Sequence, residues 1–190
     1  MKKTLTQSLI ALTALAGCAS STATTSLETQ QDVDLKKYAG TWHEQARLPN
    51  RFQTQCVGDV RADYVLNEDE TITVTNTCRL QDGSYETAVG KGRLSEQVEP
   101  TDPAKLEVRF APSWMSWVPA VWGDYWIMKI EGDYEYSLVG TPDRNYLWVL
   151  SRDKEADQNI VKELINYAGT LGFAVDEVKS SEVVESVEIK

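Results

Sequence analysis

The stretch Tyr38-Ala39-Gly40-Thr41-Trp42-His43-Glu44-Gln45-Ala46-Arg47 decides the fold. Gly40 can bring backbone against backbone where other residues cannot. Trp42, two positions on, is large, apolar and planar. It stands at the start of an alternating run, residues 41–47, that reads as a strand. A Trp there can plug one end of a closed sheet. Far downstream, Tyr146-Leu147-Trp148-Val149-Leu150-Ser151-Arg152 is the last long strand-like run. If that strand closes against the first, the Arg152 guanidinium can lie over the indole, worth about 0.5–2 kcal/mol.

Between these ends the chain alternates repeatedly. Residues 60–66 alternate strictly, Asn67-Glu68-Asp69-Glu70 is turn material, and residues 71–77 are β-branched, which predicts a hairpin. Gln81-Asp82-Gly83-Ser84 turns into residues 85–94, where Gly90 and Gly92 permit sharp bending. Strands are predicted over 104–110, 123–130, 134–140 and 146–151. Eight strands joined by short turns read as an all-β, antiparallel up-and-down barrel, with room inside for one small ligand. A β-sandwich fits the same alternation. Residues 34–38 predict a short helical turn closing the bottom. One α-helix follows the strands. Asp157 can cap it, Ile160, Leu164, Tyr167 and Leu171 recur at helical spacing, and Gly172 can stop it. It should pack on the outer wall, and residues 173–178 should pair beside the first strand.

Gly40-x-Trp42, the turn Gly140-Thr141-Pro142-Asp143-Arg144 and Ser151-Arg152 together resemble the three conserved stretches of the lipocalins. The longer runs, 39–50 and 142–152, look like the bacterial lipocalin subgroup, whose members are outer-membrane lipoproteins. The resemblance covers about residues 34–178. It implies a calyx of eight strands, with Gly40, Trp42 and Arg152 at its closed end. It also implies a bound fatty acid or lysophospholipid, carried or stored near the outer membrane of a bacterial envelope.

The N-terminus agrees with that address. Met1-Lys2-Lys3 is a positive n-region, and residues 9–16 form an apolar stretch too short to span a bilayer. Leu15-Ala16-Gly17-Cys18 then resembles a bacterial lipobox, which implies cleavage after residue 17 and lipidation of Cys18. Several acyl chains on one residue anchor far better than one. Residues 20–31, rich in Ser and Thr, read as a flexible tether. The organisation expected is a signal peptide at 1–17, a lipidated tether at 18–32, the lipocalin domain at 33–180 and a loose tail at 181–190.

Side chains alternate along a strand, so one parity points inward. Counting back from Arg152 gives Leu150, Trp148 and Tyr146. The apolar parities elsewhere give Val60, Ala62, Tyr64 and Leu66; Val74 and Asn76; Leu94; Leu106, Val108 and Phe110; and Tyr125 with Ile127. The ligand-lining set expected is Tyr64, Asn76, Leu94, Phe110, Tyr125, Tyr146, Trp148 and Leu150. No inward Lys or Arg is expected, and Lys105, Glu107 and Arg109 are expected outside. The run Ala111-Pro112-Ser113-Trp114-Met115-Ser116-Trp117-Val118-Pro119-Ala120-Val121-Trp122 is uncharged and rich in Trp and Pro. Its two prolines oppose a regular element. It reads as a mouth loop serving as a lid, an insertion edge for membrane or partner, or a patch for a homodimer. Folding back onto the barrel wall is the plainer use.

The chain has 190 residues and a net charge of −10. Removing the two leader lysines leaves 17 basic against 29 acidic residues, or −12. That opposes nucleic acid, whose binding rests on cationic phosphate contacts. The single His, His43, points away from the interior, and no Cys or carboxylate set at ligand spacing accompanies it, so no metal site or cofactor is expected. No Ser-His-Asp set can be assigned. Cys56 and Cys78 bracket the first hairpin, so in an oxidising envelope they should form a disulfide. A thiol nucleophile would need a base to make the thiolate, and none is near. A lipid-binding protein is therefore expected ahead of an enzyme on a lipid-like substrate, or of a structural envelope protein gripping a partner through its Trp-rich loop.

Overall fold

The structure is a computed structural model that describes residues 26–96, 102–110 and 122–181. Cys18, the leader, most of the tether, residues 111–121 of the Trp-rich loop and the tail beyond Ser181 lie outside the described residues.

A short helix, α1 (Leu35–Tyr38), is capped by the Asp34 carboxylate, which accepts from the Lys36 and Lys37 amides. Eight antiparallel strands follow: β1 (Gly40–Arg47), β2 (Gly58–Leu66), β3 (Ile72–Arg79), β4 (Tyr85–Leu94), β5 (Lys105–Arg109), β6 (Gly123–Glu131), β7 (Tyr136–Gly140) and β8 (Leu147–Ser151). Each pairs with the next, and β8 returns to β1, so the sheet closes into a barrel rather than a sandwich. Helix α2 (Gln158–Thr170) packs outside, starting under the Asp157 cap. Gly172, with φ +91°, supplies the left-handed turn that ends it.

The two faces of the sheet feed two cores. The inner one gathers Tyr38, Trp42, Ala62, Tyr64, Ile72, Val74, Leu106, Ile127, Val139 and Leu150. The outer one joins Ala46, Leu138, Leu147 and Val149 to Val161, Leu164 and Ala168 of α2. The buried stripe of α2 thus centres on Val161, Leu164 and Ala168, while Ile160, Tyr167 and Leu171 flank it half-buried.

Three features depart from expectation. Residues 173–178 do not pair with β1. Val175–Glu177 forms a 3₁₀ turn, and the pairing passes to β9 (Lys179–Ser180), which lies beside Ala46 and Arg47 where β2 has diverged. The chain before position 32 is not all tether. Leu27 is buried in the outer core, the Gln30 amide donates to the Ile127 carbonyl at 2.9 Å, and the Ile130 amide donates to the Gln30 side-chain oxygen at 3.1 Å. Glu107 and Arg109 point outward yet are buried, Glu107 being 2% exposed. Arg93 reaches Glu107 through Nε and Nη2, at 3.1 and 2.9 Å from one carboxylate oxygen, and Ser95 donates to the other. Trp122, the last residue of the Trp-rich loop, lies under both Arg93 and Arg109 on this outer wall.

Candidate ligand-binding site

The closed end is built by Gly40, Trp42 and Arg152. Gly40 takes φ +103°, and a Cβ there would sit 3.2 Å from Arg152 Nη1, so glycine answers both the backbone angle and the approach. Trp42 is fully buried and donates its indole N–H to the Tyr38 carbonyl. The Arg152 guanidinium carbon lies 3.8 Å from the indole centroid. Its nitrogens donate to the carbonyls of Lys37, Tyr38, Ala39, Thr41 and Tyr134, which satisfies the C-terminal carbonyls of α1.

Above this plug lies a cluster of phenols. Tyr38 and Tyr125 share a 2.9 Å hydrogen bond, Tyr125 and Tyr64 share one of 3.0 Å, and Tyr38 bonds Ser137 at 2.9 Å. The low-dielectric surroundings raise all three phenols: Tyr38 is pushed up to about 12, Tyr64 is raised, and Tyr125 stands well above the ordinary range. At neutral pH the floor is therefore neutral, and each hydroxyl can donate or accept. Tyr38, Tyr64 and Tyr125 line a small cavity of about 10 Å³ with Ile72, Val74, Gly92, Leu106 and Val108. Side chains close around it so that its floor leaves room for little more than one water.

Toward the mouth the lining changes. Trp148 stacks on Tyr146, with centroids 5.9 Å apart and planes 7° from parallel, and Phe52 meets Tyr146 at 5.5 Å. Asn76 lies between Ala62 and Ala88 in register on the inner face, and Ala88 is exposed, so the barrel is open to water at this height. Leu94, opposite Leu106, and Leu150, opposite Ser137, belong to the inner core. Phe110 stands apart at the end of β5. It is 45% exposed, and its ring covers Gly90. Cys56 and Cys78 form a disulfide with Cα atoms 5.5 Å apart, tying the β1–β2 connection to the end of β3.

An inward cation, not expected from the sequence, is present. A bulge between Glu44 and Ala46 shifts the register against β8: Glu44 opposes Leu150 and Arg47 opposes Trp148. Both charged side chains therefore face inward, while Ala46 faces α2. Arg47 Nη1 meets Glu44 Oε1 at 2.6 Å, Gln53 Nε2 donates to Glu44 Oε2 at 2.7 Å, and Trp148 Nε1 donates to Gln53 Oε1 at 3.0 Å. Ser181, just past β9, donates its hydroxyl to Glu44 Oε1. Strict counting from Trp42 puts Arg47 outside; only the crowding of Gln45 and Ala46 between two inward positions could have signalled the extra residue. Tyr38 and Ser137 were missed for a simpler reason. Tyr38 belongs to α1, and Ser137 is a small polar residue in a strand whose partners are distant in sequence.

The family model described as a lipocalin-like domain matches residues 33–182. The chain belongs to the lipocalin family. Temperature-induced lipocalin-1 of Arabidopsis thaliana is 35% identical over 153 residues, covering 80% of each chain. Outer membrane lipoprotein Blc of Escherichia coli (strain K12) is 31% identical over 159 residues, covering 83% of this chain and 84% of the other. Apolipoprotein D of Rattus norvegicus is 34% identical over 133 residues, covering 65% and 63%. Among solved structures, insecticyanin from the tobacco hornworm Manduca sexta superposes with a TM-score of 0.64 at 20% identity, covering 84% and 85% of the two chains. The lipocalin calyx is thus shared across plant, bacterial and animal relatives, and family membership supports binding of a small hydrophobic ligand inside it.

Proposed function

We propose that this lipocalin is a lipid-anchored carrier of the bacterial outer membrane that holds a fatty acid or lysophospholipid in its calyx. The observation that carries the proposal is the inner face: aliphatic and aromatic side chains line a barrel stoppered at one end by Trp42 under Arg152 and open at the other. Burying an alkyl chain against such a wall gains about 0.8 kcal/mol per methylene. The cavity over the phenol cluster, about 10 Å³, is far smaller than the roughly 300–1,000 Å³ of ordinary ligand pockets, so the floor itself takes no alkyl chain. A chain held here must therefore extend through the upper barrel, past Asn76, Trp148 and Tyr146. The likeness to the Escherichia coli outer membrane lipoprotein and the lipobox-like sequence at Cys18 support the anchored location. Among the described residues the floor carries neutral phenols and a Ser137 hydroxyl bonded to Tyr38, a lining that suits carriage.

Delipidated protein should take up one equivalent of a fluorescent fatty acid, and Trp148→Ala or Tyr125→Ala should weaken uptake. Absence of uptake by the intact protein would refute the proposal. Cys18→Ser should release the protein from the membrane fraction, and native mass spectrometry of the membrane-purified protein should show a co-purifying lipid.

A further inference from the structure

The charged pair inside the mouth has no role in closing the barrel or in packing its wall. Glu44 is 4% exposed and is satisfied three times over, by Arg47, Gln53 and Ser181. Arg47 is in a different position. Its side chain is 15% exposed, and among the described residues its one polar contact is Nη1 to Glu44. Among the described residues, Nε and Nη2, the side edge of the guanidinium, have no hydrogen-bond partner. That edge presents two parallel N–H donors, the arrangement that grips two oxygens of a carboxylate or phosphate. A guanidinium held at one corner by a buried carboxylate has little rotamer freedom left to lose on binding.

The surroundings define what fits. Arg47 lies opposite Trp148, whose indole continues into the Tyr146 and Phe52 rings. Among the described residues of β1–β8 it is the one cation facing inward, with Lys179 of β9 in register beside it at the rim, in a chain of net charge −10. An oxyanion would be repelled elsewhere on this surface. At Arg47 it meets a charge with an aromatic wall directly alongside and an apolar lumen below.

We infer that Arg47 is the headgroup anchor of the calyx, taking the oxyanion of a single-chain amphiphile through Nε and Nη2, and that Glu44 and Gln53 are positioning residues that aim it. The inference rests on the calyx reading above and deepens it by fixing the charge and the depth of the ligand's polar end. The alkyl chain runs from Arg47 past Trp148 toward the phenol cluster.

The test titrates the delipidated full chain with palmitic acid, oleoyl lysophosphatidic acid and hexadecanol, following intrinsic Trp fluorescence. In the unaltered protein all three bind. Arg47→Gln should weaken both anions by about 10- to 100-fold, the range for a lost charge-assisted pair, and change hexadecanol by less than about twofold. Arg47→Lys should recover part of the loss. The double variant Glu44→Gln, Arg47→Gln leaves no orphaned carboxylate and should show the same selective loss, so a folding defect in the single variant does not decide the matter. A larger loss for the lysophosphatidate assigns the anion to a phosphate, and a larger loss for palmitate assigns it to a carboxylate; both support the anchor. Equal weakening of all three ligands, or of none, overturns Arg47 while leaving the calyx standing. Failure of the unaltered protein to bind any of the three overturns the calyx reading and the anchor together.

Discussion

Arg152 lies over Trp42, its guanidinium carbon 3.8 Å from the indole centre, and binds backbone carbonyls of Lys37, Tyr38, Ala39, Thr41 and Tyr134. One side chain therefore joins α1, the start of β1, the β6–β7 turn and the end of β8. Arg152→Ala exposes the indole and strips several carbonyls of a charged donor, each such bond being worth about 1.5–3 kcal/mol when buried and less at this half-exposed position. The expected loss is about 2–4 kcal/mol, read as a lowered urea midpoint. Arg152→Lys should recover little, because an ammonium cannot span five carbonyls in one plane. A midpoint equal to that of the parent protein would refute the stopper role.

The Cys56–Cys78 bridge closes a loop with a sequence separation of 22. In the chain-entropy account a loop of this length is worth about 3 kcal/mol. Cys78→Ser, or reductant added to the parent protein, should lower the denaturation midpoint accordingly. Ligand uptake at temperatures well below that midpoint should persist, since neither sulfur faces the phenol cavity.

The phenol cluster predicts a specific alkaline limit. In the unfolded chain these tyrosines ionise near pH 10, whereas burial holds Tyr38 at about 12 and Tyr64 and Tyr125 above their ordinary value in the folded barrel. The folded state thus keeps protons that the unfolded state releases. Their contribution to stability is whole below pH 10 and is lost as pH climbs from there through about 12. Thermal midpoints should be flat toward pH 10 and fall beyond it. Tyr125→Phe removes the partner of the Tyr64 hydroxyl and should cost about 1–3 kcal/mol at neutral pH.

On the outer wall, Glu107 is buried and held by Arg93 and Ser95, and Arg93 in turn lies over Trp122. Breaking a buried pair by deleting one partner costs about 3–5 kcal/mol. Glu107→Ala should approach that loss, whereas Glu107→Gln, which keeps an acceptor, should lose less. Equilibrium denaturation of the two variants checks the order.

The barrel was legible in the sequence because its strands alternate and its ends carry a Gly, a Trp and an Arg whose roles are local and steric. The phenols Tyr64 and Tyr125 were placed by parity alone, and the structure brings their hydroxyls to 3.0 Å. Parity failed where a strand carries an extra residue. The bulge in β1 turned Arg47 inward, and a second, between Ile127 and Lys129 of β6, left Met128 in the outer core but brought Ile130 to the inner one, where strict alternation would turn it out. A bulge leaves no residue-type signature in either strand, since Gln45 and Met128 are ordinary there. Glu107 misled differently: its charge suggested water, but Arg93 and Ser95 allow it to be covered. Composition likewise hid the strap at 27–31, because one Leu and one Gln do its anchoring.

That strap sets how the domain bears tension. Any pull arriving along the chain at Leu27 reaches the barrel first through an apolar side chain buried in the outer core, then through the two Gln30 bonds to the irregular middle of β6. The strand that carries Tyr125 into the cavity is thus also the one that takes the strain, so the floor of the calyx is mechanically joined to the segment at 27–31.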